Sequence, residues 1–545
     1  MEATRPQVFT RRASGLVRVM SPRSAFVYNV LTMGLIFPWT FVWAPAAFQG
    51  SNLVLGIAFA FVFELPLALA YVWLATALPR SGGDYVFQSR VFGGGFGFTV
   101  VFSLFVIWIL QWVALSGWLL AVLGFAPMFI GLGVTTGVHG FTSIGTWAAS
   151  SNGIIVLSIL NAVASLVLLV SGFRNYVRFQ RVMWATTLAA FAVMLILFFR
   201  VHPAVFQTKI NGFAAAVDGT KGFFAQAIAA AHKAGVNFNP PFYLFGTLMV
   251  APIAWTSLQW ASYSVEQGSE IKNAHVFRNQ LFIIVGSLAA TALLLILLAV
   301  AMQHGIGRSG ILLGSAGYWL GVPQTLVAGT YLMPNLLAIA LTGSPILVAL
   351  IGLGYILNSF QIVCNSYIGT TRILVAQSLD GLLPEWFSRV HAKWKTPANA
   401  HLAYFAASLP VIWAFNKVPN WSTHWALGVT FANGATLILS GLAAALLPYR
   451  AKALYEASPG AKFKVGGVPL VTILGGLGFG FGLFMVISFL TVKNLGLAFS
   501  ASNPIPYVMV AATVVLGLIV YLLMRGVRAR QGIQVRYAFA EVPPE

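Results

Sequence analysis

Glu64 is the one acidic residue well inside an apolar run, in a chain of 545 residues that is 59% hydrophobic and 8% charged. An ionisable group in such a place is a functional hypothesis by default: it takes up a proton or pairs with a cation. Pro66 follows it closely. Polar residues recur in other apolar runs: Gln111, Trp112 and Ser116; Thr186 and Thr187; Asn358, Ser359, Gln361, Asn365 and Ser366; Asn433 and Thr436. Singly, such groups make inter-helix hydrogen bonds worth about 0.6 kcal/mol each. The group over 358–366 is denser than that role needs and points to a cavity able to coordinate a small ion or solute. Two further stretches carry helix breakers. In Thr32-Met33-Gly34-Leu35-Ile36-Phe37-Pro38 the proline removes a backbone donor and the glycine lets the chain leave the helix. In Val250-Ala251-Pro252-Ile253-Ala254-Trp255-Thr256-Ser257-Leu258-Gln259-Trp260 a proline is followed by hydroxyls, an amide and two large aromatics. A break bares carbonyls and amides, and at membrane depth it is tolerated only where it lines a cavity or is buried in protein. A pair of such breaks at corresponding places in two halves of a chain marks a central site.

The elements that must position these residues follow from composition. A soluble domain carries about 25% charged residues, and a chain this apolar needs lipid around it. Apolar stretches of spanning length occur at 24–48, 52–78, 94–124, 153–172, 182–200, 244–265, 279–302, 345–371, 400–415, 425–447, 467–492 and 504–525. The length rule makes them about twelve membrane-crossing helices of about 20 residues or more. The first stretch begins after Arg5, Arg11, Arg12, Arg18 and Arg23 and ends at no small-residue cleavage site, so it reads as a retained helix and not a secretory signal. With the N-terminus in the cytoplasm, most of the 31 lysines and arginines fall on the inner side. The outer segments hold only Arg200, Lys209, Lys221, Lys233, Arg308, Lys417 and Lys493. This bias sets the orientation, with both termini cytoplasmic in a multi-pass protein of the cell membrane.

The expected layout is an inner segment over 1–23, a five-helix unit over 24–200, an outer segment over 201–243 with an amphipathic helix at Gly222–Ala234, a second five-helix unit over 244–447, two further helices over 448–525 and an inner tail over 526–545. A second short outer helix is expected within 303–344. The net charge of +20 sits in short inter-helix loops and not on one folded face, which excludes a nucleic-acid partner. Cys364 is the single cysteine, so no disulfide framework is possible within the chain. None of the histidines has a metal-binding spacing, and no nucleophile elbow, phosphate loop or dinucleotide fingerprint occurs. No cofactor, metal site or enzymatic centre is expected.

Three loop segments carry a resemblance. Leu78-Pro79-Arg80-Ser81-Gly82-Gly83-Asp84-Tyr85-Val86 follows the second stretch, with Gly93 to Gly97 behind it. Glu270-Ile271-Lys272-Asn273 follows the sixth. Arg372, Asp380-Gly381-Leu382-Leu383-Pro384 and Thr396-Pro397 follow the eighth. In order, spacing and inner placement they resemble the amino acid–polyamine–organocation permeases. The resemblance implies an all-α polytopic fold of two inverted five-helix repeats plus two C-terminal helices. It implies secondary active transport by alternating access, with a substrate site between the breaks of helices one and six and walls from helices three, eight and ten. Trp255 is similar by position to an aromatic gate residue of arginine/agmatine exchangers. The chain departs from the family in keeping only Gly34 in its first-helix motif and in carrying Thr186 and Thr187 where some proton-coupled members have a lysine.

The substrate site is therefore expected to include Thr32, Met33, Gly34, Leu35, Ile36, Gln111, Ala254, Trp255, Thr256, Ser257, Gln259, Asn358 and Asn433, with Trp255 and Trp260 closing over the solute. Glu64, Ser359 and Ser366 are expected to hold the coupling ion, H+ or Na+. The expected substrate is an amino acid or related amine. An inorganic cation such as potassium is the alternative, and it would need a site lined by oxygens and aromatics. Membrane lipid is the third partner, and self-association is left open.

Overall fold

A computed structural model describes residues 14–35, 38–496 and 504–539, side chains 422–427, 429 and 430 aside. Apart from a two-stranded hairpin, β1 (Lys464–Val465) with β2 (Val468–Pro469), the regular structure in these residues is helical. Among the described residues the helices are grouped in chain order into twelve segments, named spans 1 to 12. Span 1 is Pro22–Met33 continued by Trp39–Val42 and Ala44–Ala47; span 6 is Leu244–Leu258 continued by Gln259–Glu266. The others are span 2 (Leu53–Ala77), span 3 (Gly94–Thr136), span 4 (Ser151–Val170), span 5 (Phe173–Phe199), span 7 (Phe277–Gly305) and span 8 (Pro345–Leu379). They are followed by span 9 (Ala398–Lys417), span 10 (Trp421–Arg450), span 11 (Leu470–Thr491) and span 12 (Ile505–Arg530). Among the described residues, 9 helices are long and apolar enough to cross a membrane unbroken. Spans 1, 6 and 9 fall short of that measure for three reasons: a break, a change of helix type, and a more polar sequence.

The two interruptions have different causes. Span 1 stops at Met33 because Gly34 takes φ 75° and ψ 101°, a conformation that suits glycine. Span 6 runs unbroken through Pro252 and tightens into a 3-10 helix only at Gln259. The sequence had pointed to the proline, but the change comes later. Side chains take up carbonyls around the transition: the Thr256 hydroxyl donates to Ile253 O at 2.7 Å, and Trp260 Nε1 donates to Thr256 O at 3.1 Å.

The segment over 201–243 folds into two helices, Pro203–Asp218 and Phe223–Lys233, and 303–344 holds Gly307–Trp319 and Pro334–Ile339. These cover one end of the bundle, here called the far face. The opposite end carries the arginine- and lysine-rich loops and is called the basic face. Span 3 carries π-helical turns at Val101–Ile107 and Leu119–Phe125 and continues beyond its expected stretch to Thr136.

Apolar side chains such as Val62, Leu160, Val167, Leu293 and Leu523 point outward, as a lipid-facing surface requires. Inside, small residues let the spans approach. A Cβ on Gly478 of span 11 would stand 2.7 Å from the Leu67 Cα of span 2. Backbone cannot yield there, so Gly478→Val is expected to destabilise the solubilised protein by about 1–3 kcal/mol. Thermal unfolding in detergent, read by the loss of the monodisperse peak, checks this. An unchanged midpoint would mean that spans 2 and 11 can separate at no cost.

Candidate substrate site

At the break of span 1, Asn358 Nδ2 of span 8 donates to Leu31 O at 3.0 Å, replacing a helical partner that the break removed. One stretch of span 8 onward, Asn365 Nδ2 donates to Thr32 Oγ1 at 2.6 Å, and Thr32 Oγ1 in turn donates to Tyr28 O at 2.6 Å. The Tyr176 hydroxyl of span 5 donates to Asn365 Oδ1 at 2.6 Å. Spans 1, 5 and 8 are thus tied by one polar chain.

Beside this chain lies a cavity of about 20 Å³, walled by Thr32, Ile109, Trp112, Trp260, Tyr263, Ile362, Asn365 and Ser366. Its walls come from spans 1, 3, 6 and 8. The Trp260 ring meets Trp112 edge-on at 5.4 Å between centroids and Tyr263 at 5.4 Å. The tighter 3-10 winding of span 6 sets Trp260 and Tyr263, three positions apart, on one side of the segment. A volume of this size holds about one water, so the aromatic side chains must move for a larger solute to sit here. A cleft of about 320 Å³ lies apart, lined by residues such as Asn52, Pro240, Gln303 and Arg308, and shares no wall residue with the central cavity.

Of the residues expected at the site, Thr32 and Ser366 line this cavity. Met33, Leu35 and Ala254 are buried, with Gly34, beside the break or along span 6. Ile36 lies outside the described residues. Thr256 and Ser257 are buried on span 6. Asn433 accepts from Trp112 Nε1 at 3.2 Å and donates to Leu104 O at 2.9 Å, so it braces the cavity wall from span 10. Gln111 accepts from Trp421 Nε1 at 3.1 Å.

Glu64 and Trp255 form a second grouping: Trp255 Nε1 donates to Glu64 Oε2 at 2.6 Å. The Trp255 ring packs on Gly434, where a Cβ would come within 2.6 Å of it and 3.3 Å of Gln259 Oε1. Trp255 therefore faces spans 2 and 10, while Trp260 faces the cavity. Among the described residues, the buried oxygens Gln259 Oε1, Asn358 Oδ1, Ser359 Oγ and Gln361 Oε1 have no hydrogen-bond partner, so oxygen acceptors are available to a donor or a cation.

The basic face is closed by buried ion pairs. Arg372 Nε donates to Glu270 Oε2 at 2.7 Å and Arg372 Nη2 to Glu270 Oε1 at 2.9 Å. Arg90 Nη1 meets Asp380 Oδ2 at 2.8 Å, where the Tyr85 hydroxyl also donates at 2.8 Å. The three loop segments of the sequence motifs thus meet side chain to side chain.

The profile of the amino acid permease family matches residues 24–520. The chain belongs to that family. The permease is 23% identical over 362 residues to an uncharacterized transporter of Mycobacterium bovis, covering 66% of each chain. An uncharacterized transporter of Mycobacterium tuberculosis matches to the same extent. The chain is 29% identical over 102 residues, 18% of its own length, to uncharacterized protein 399 of Sulfolobus islandicus rod-shaped virus 1, where the match covers 26% of that protein. The family match and the long apolar helices make it a multi-pass membrane protein, and it spans 66% or less of the length of these relatives. Ile109, Tyr263 and Ile362 line its cavity and gave no polar signal in the sequence; only the helical phase of spans 3, 6 and 8 brings them there.

Proposed function

We propose that this permease moves an amino acid or related amine across the cell membrane by alternating access, at the cavity between the break of span 1 and the 3-10 segment of span 6. The observation that carries the reading is that four spans meet there with two tryptophans and a tyrosine against Thr32, Asn365 and Ser366. Aromatic faces suit an ammonium group and apolar side chains alike. The carbonyls at the break of span 1 and the oxygens of span 8 without a described partner suit an amine.

The layout that supports this has 24–200 and 244–447 as two inverted repeats, with 448–525 appended. The basic face is cytoplasmic, which puts both termini inside. Glu64, held by Trp255 Nε1, takes up the coupling ion; Ser359 and Ser366, expected beside it, belong to span 8, where Ser366 lines the central cavity instead. Glu64→Gln keeps an acceptor for Trp255 Nε1 but cannot ionise. Gradient-driven accumulation in proteoliposomes is then expected to fall to its level without a gradient, while exchange of substrate persists. Accumulation equal to wild type would remove Glu64 from that role.

A ligand panel tests the substrate class. A ligand that binds the folded state raises its stability by about 2.7 kcal/mol at a hundred times its dissociation constant. One class among amino acids and polyamines is expected to raise the melting midpoint in detergent. A rise with potassium alone would favour an inorganic-cation carrier. That second reading draws on the cavity's small volume of about 20 Å³ and the unpartnered oxygens Asn358 Oδ1, Ser359 Oγ and Gln361 Oε1.

A further inference from the structure

Asp84 lies in the first turn of the helix Gly83–Val91 that follows span 2, and Glu266 ends the 3-10 segment of span 6. They are 1% and 0% exposed. The Asp84 amide donates to Glu266 Oε1 at 3.2 Å, and the Gly82 amide donates to Glu266 O at 2.9 Å. The two carboxyl groups themselves are close enough to interact directly. Asp84 Oδ1 accepts from the Tyr71 hydroxyl of span 2 and from the Ser440 hydroxyl of span 10, each at 2.5 Å. Glu266 Oε2 is buried and has no hydrogen-bond partner among the described residues.

Other ionisable groups surround the pair without neutralising it. Tyr28 and Tyr263 face Glu266. Arg372 is held by Glu270 and Arg90 by Asp380. The Arg80 backbone abuts Gly268. Among the described residues, no lysine or arginine is within ion-pair distance of Asp84 or Glu266. Two adjacent carboxyls buried away from water, with no ion-paired cation among the described residues, cannot both ionise, and the stable arrangement keeps one proton between them. Burial pushes the Asp84 carboxyl up, against the hydroxyls of Tyr71 and Ser440 that donate to it.

We propose that Asp84 and Glu266 form a shared proton site that latches the basic face shut, and that this proton leaves on the cytoplasmic side when the face opens. The proposal rests on the alternating-access reading given above. The pair joins the helix after span 2 to span 6 and span 10, in the same layer as the Arg372–Glu270 and Arg90–Asp380 contacts. Opening wets both carboxyls, and carboxyls in water ionise at cytoplasmic pH. Their repulsion then resists closure until a proton returns. The closed state binds the extra proton, so closure is favoured as pH falls and is lost as pH rises through the value for the closed pair.

The test is a distance measurement across the basic face. Lys272, after span 6, and Lys393, between spans 8 and 9, are exposed. Spin labels on Lys272→Cys and Lys393→Cys, in a Cys364→Ala background in lipid nanodiscs, report their separation by pulsed electron resonance from about pH 5 to about pH 9, a range that brackets a raised carboxyl. The background is expected to pass from one short-distance population to a longer one as pH rises. With Asp84→Asn and Glu266→Gln added, the short population is expected at every pH. Should the double variant not fold, Glu266→Gln alone keeps the acceptor for the Asp84 amide and removes the need for a proton, with the same expected result. A pH-driven shift that survives these changes would overturn the proposal. So would a background separation that ignores pH, or one that follows sodium at fixed pH. No substrate is needed, so failure of the amino-acid reading would be seen separately, in the ligand panel.

Discussion

Arg372→Met is expected to destabilise the permease by about 3–5 kcal/mol, because it strands Glu270 as an unpaired buried charge. Both partners are almost wholly enclosed, at 1% side-chain exposure each. Arg372 also lies 3.2 Å from His401 Nε2 and over the Phe173 ring at 5.1 Å, so its loss loosens the start of span 9 and the base of span 5. Adding Glu270→Met should recover most of the stability, since an apolar pair of similar volume replaces a buried ion pair at little net cost. The melting midpoints of the two variants in detergent check this. If the single variant melts with wild type, water reaches Glu270 and the basic face is not sealed. If the double variant melts with the single one, the ion pair is not the reason for the loss.

Trp260→Ala is expected to weaken solute binding by about 2 kcal/mol, or about 30-fold, as the loss of a central aromatic anchor does. Trp260 is 4% exposed and fills the space between Trp112 and Tyr263. Half-saturating concentrations in competition uptake give the number, after size-exclusion shows that the variant folds. Trp255→Phe is the control. Its ring stays against Gly434 but no longer donates to Glu64, so coupling changes while affinity holds. Equal affinity loss in both variants would mean that the solute spans both tryptophans.

The spans were legible because a bilayer imposes a long apolar run on any helix that crosses it. The loop motifs were legible too, because Leu78 to Val86, Glu270 to Asn273 and Arg372 to Thr396 mark segments that pack together on the basic face. Gly34 signalled its break directly, since few residues other than glycine adopt its φ of 75°. Pro252 gave the wrong place for the change in span 6: a proline in a buried helix can be accommodated locally, and the transition waits for Gln259. That shift decides which tryptophan faces the cavity. The direction of Trp255 toward Glu64, and of Trp260 toward Trp112, depends on helical phase after a change of winding, which residue types do not encode. The π-helical turns of span 3 alter the phase of Ile109 and Trp112 in the same way. The contact of Asp84 with Glu266 spans 182 positions in the chain; Asp84 lies in the first loop motif, but no pattern in the sequence pairs it with Glu266.

Radiolabelled uptake into proteoliposomes, with a panel of amino acids and polyamines under imposed proton and sodium gradients, bears most directly on the central claim. The account predicts saturable uptake competed by one chemical class and reduced about 30-fold in apparent affinity by Trp260→Ala. Folded protein that moves no organic solute under any gradient, but carries potassium or its analogue rubidium, would contradict it.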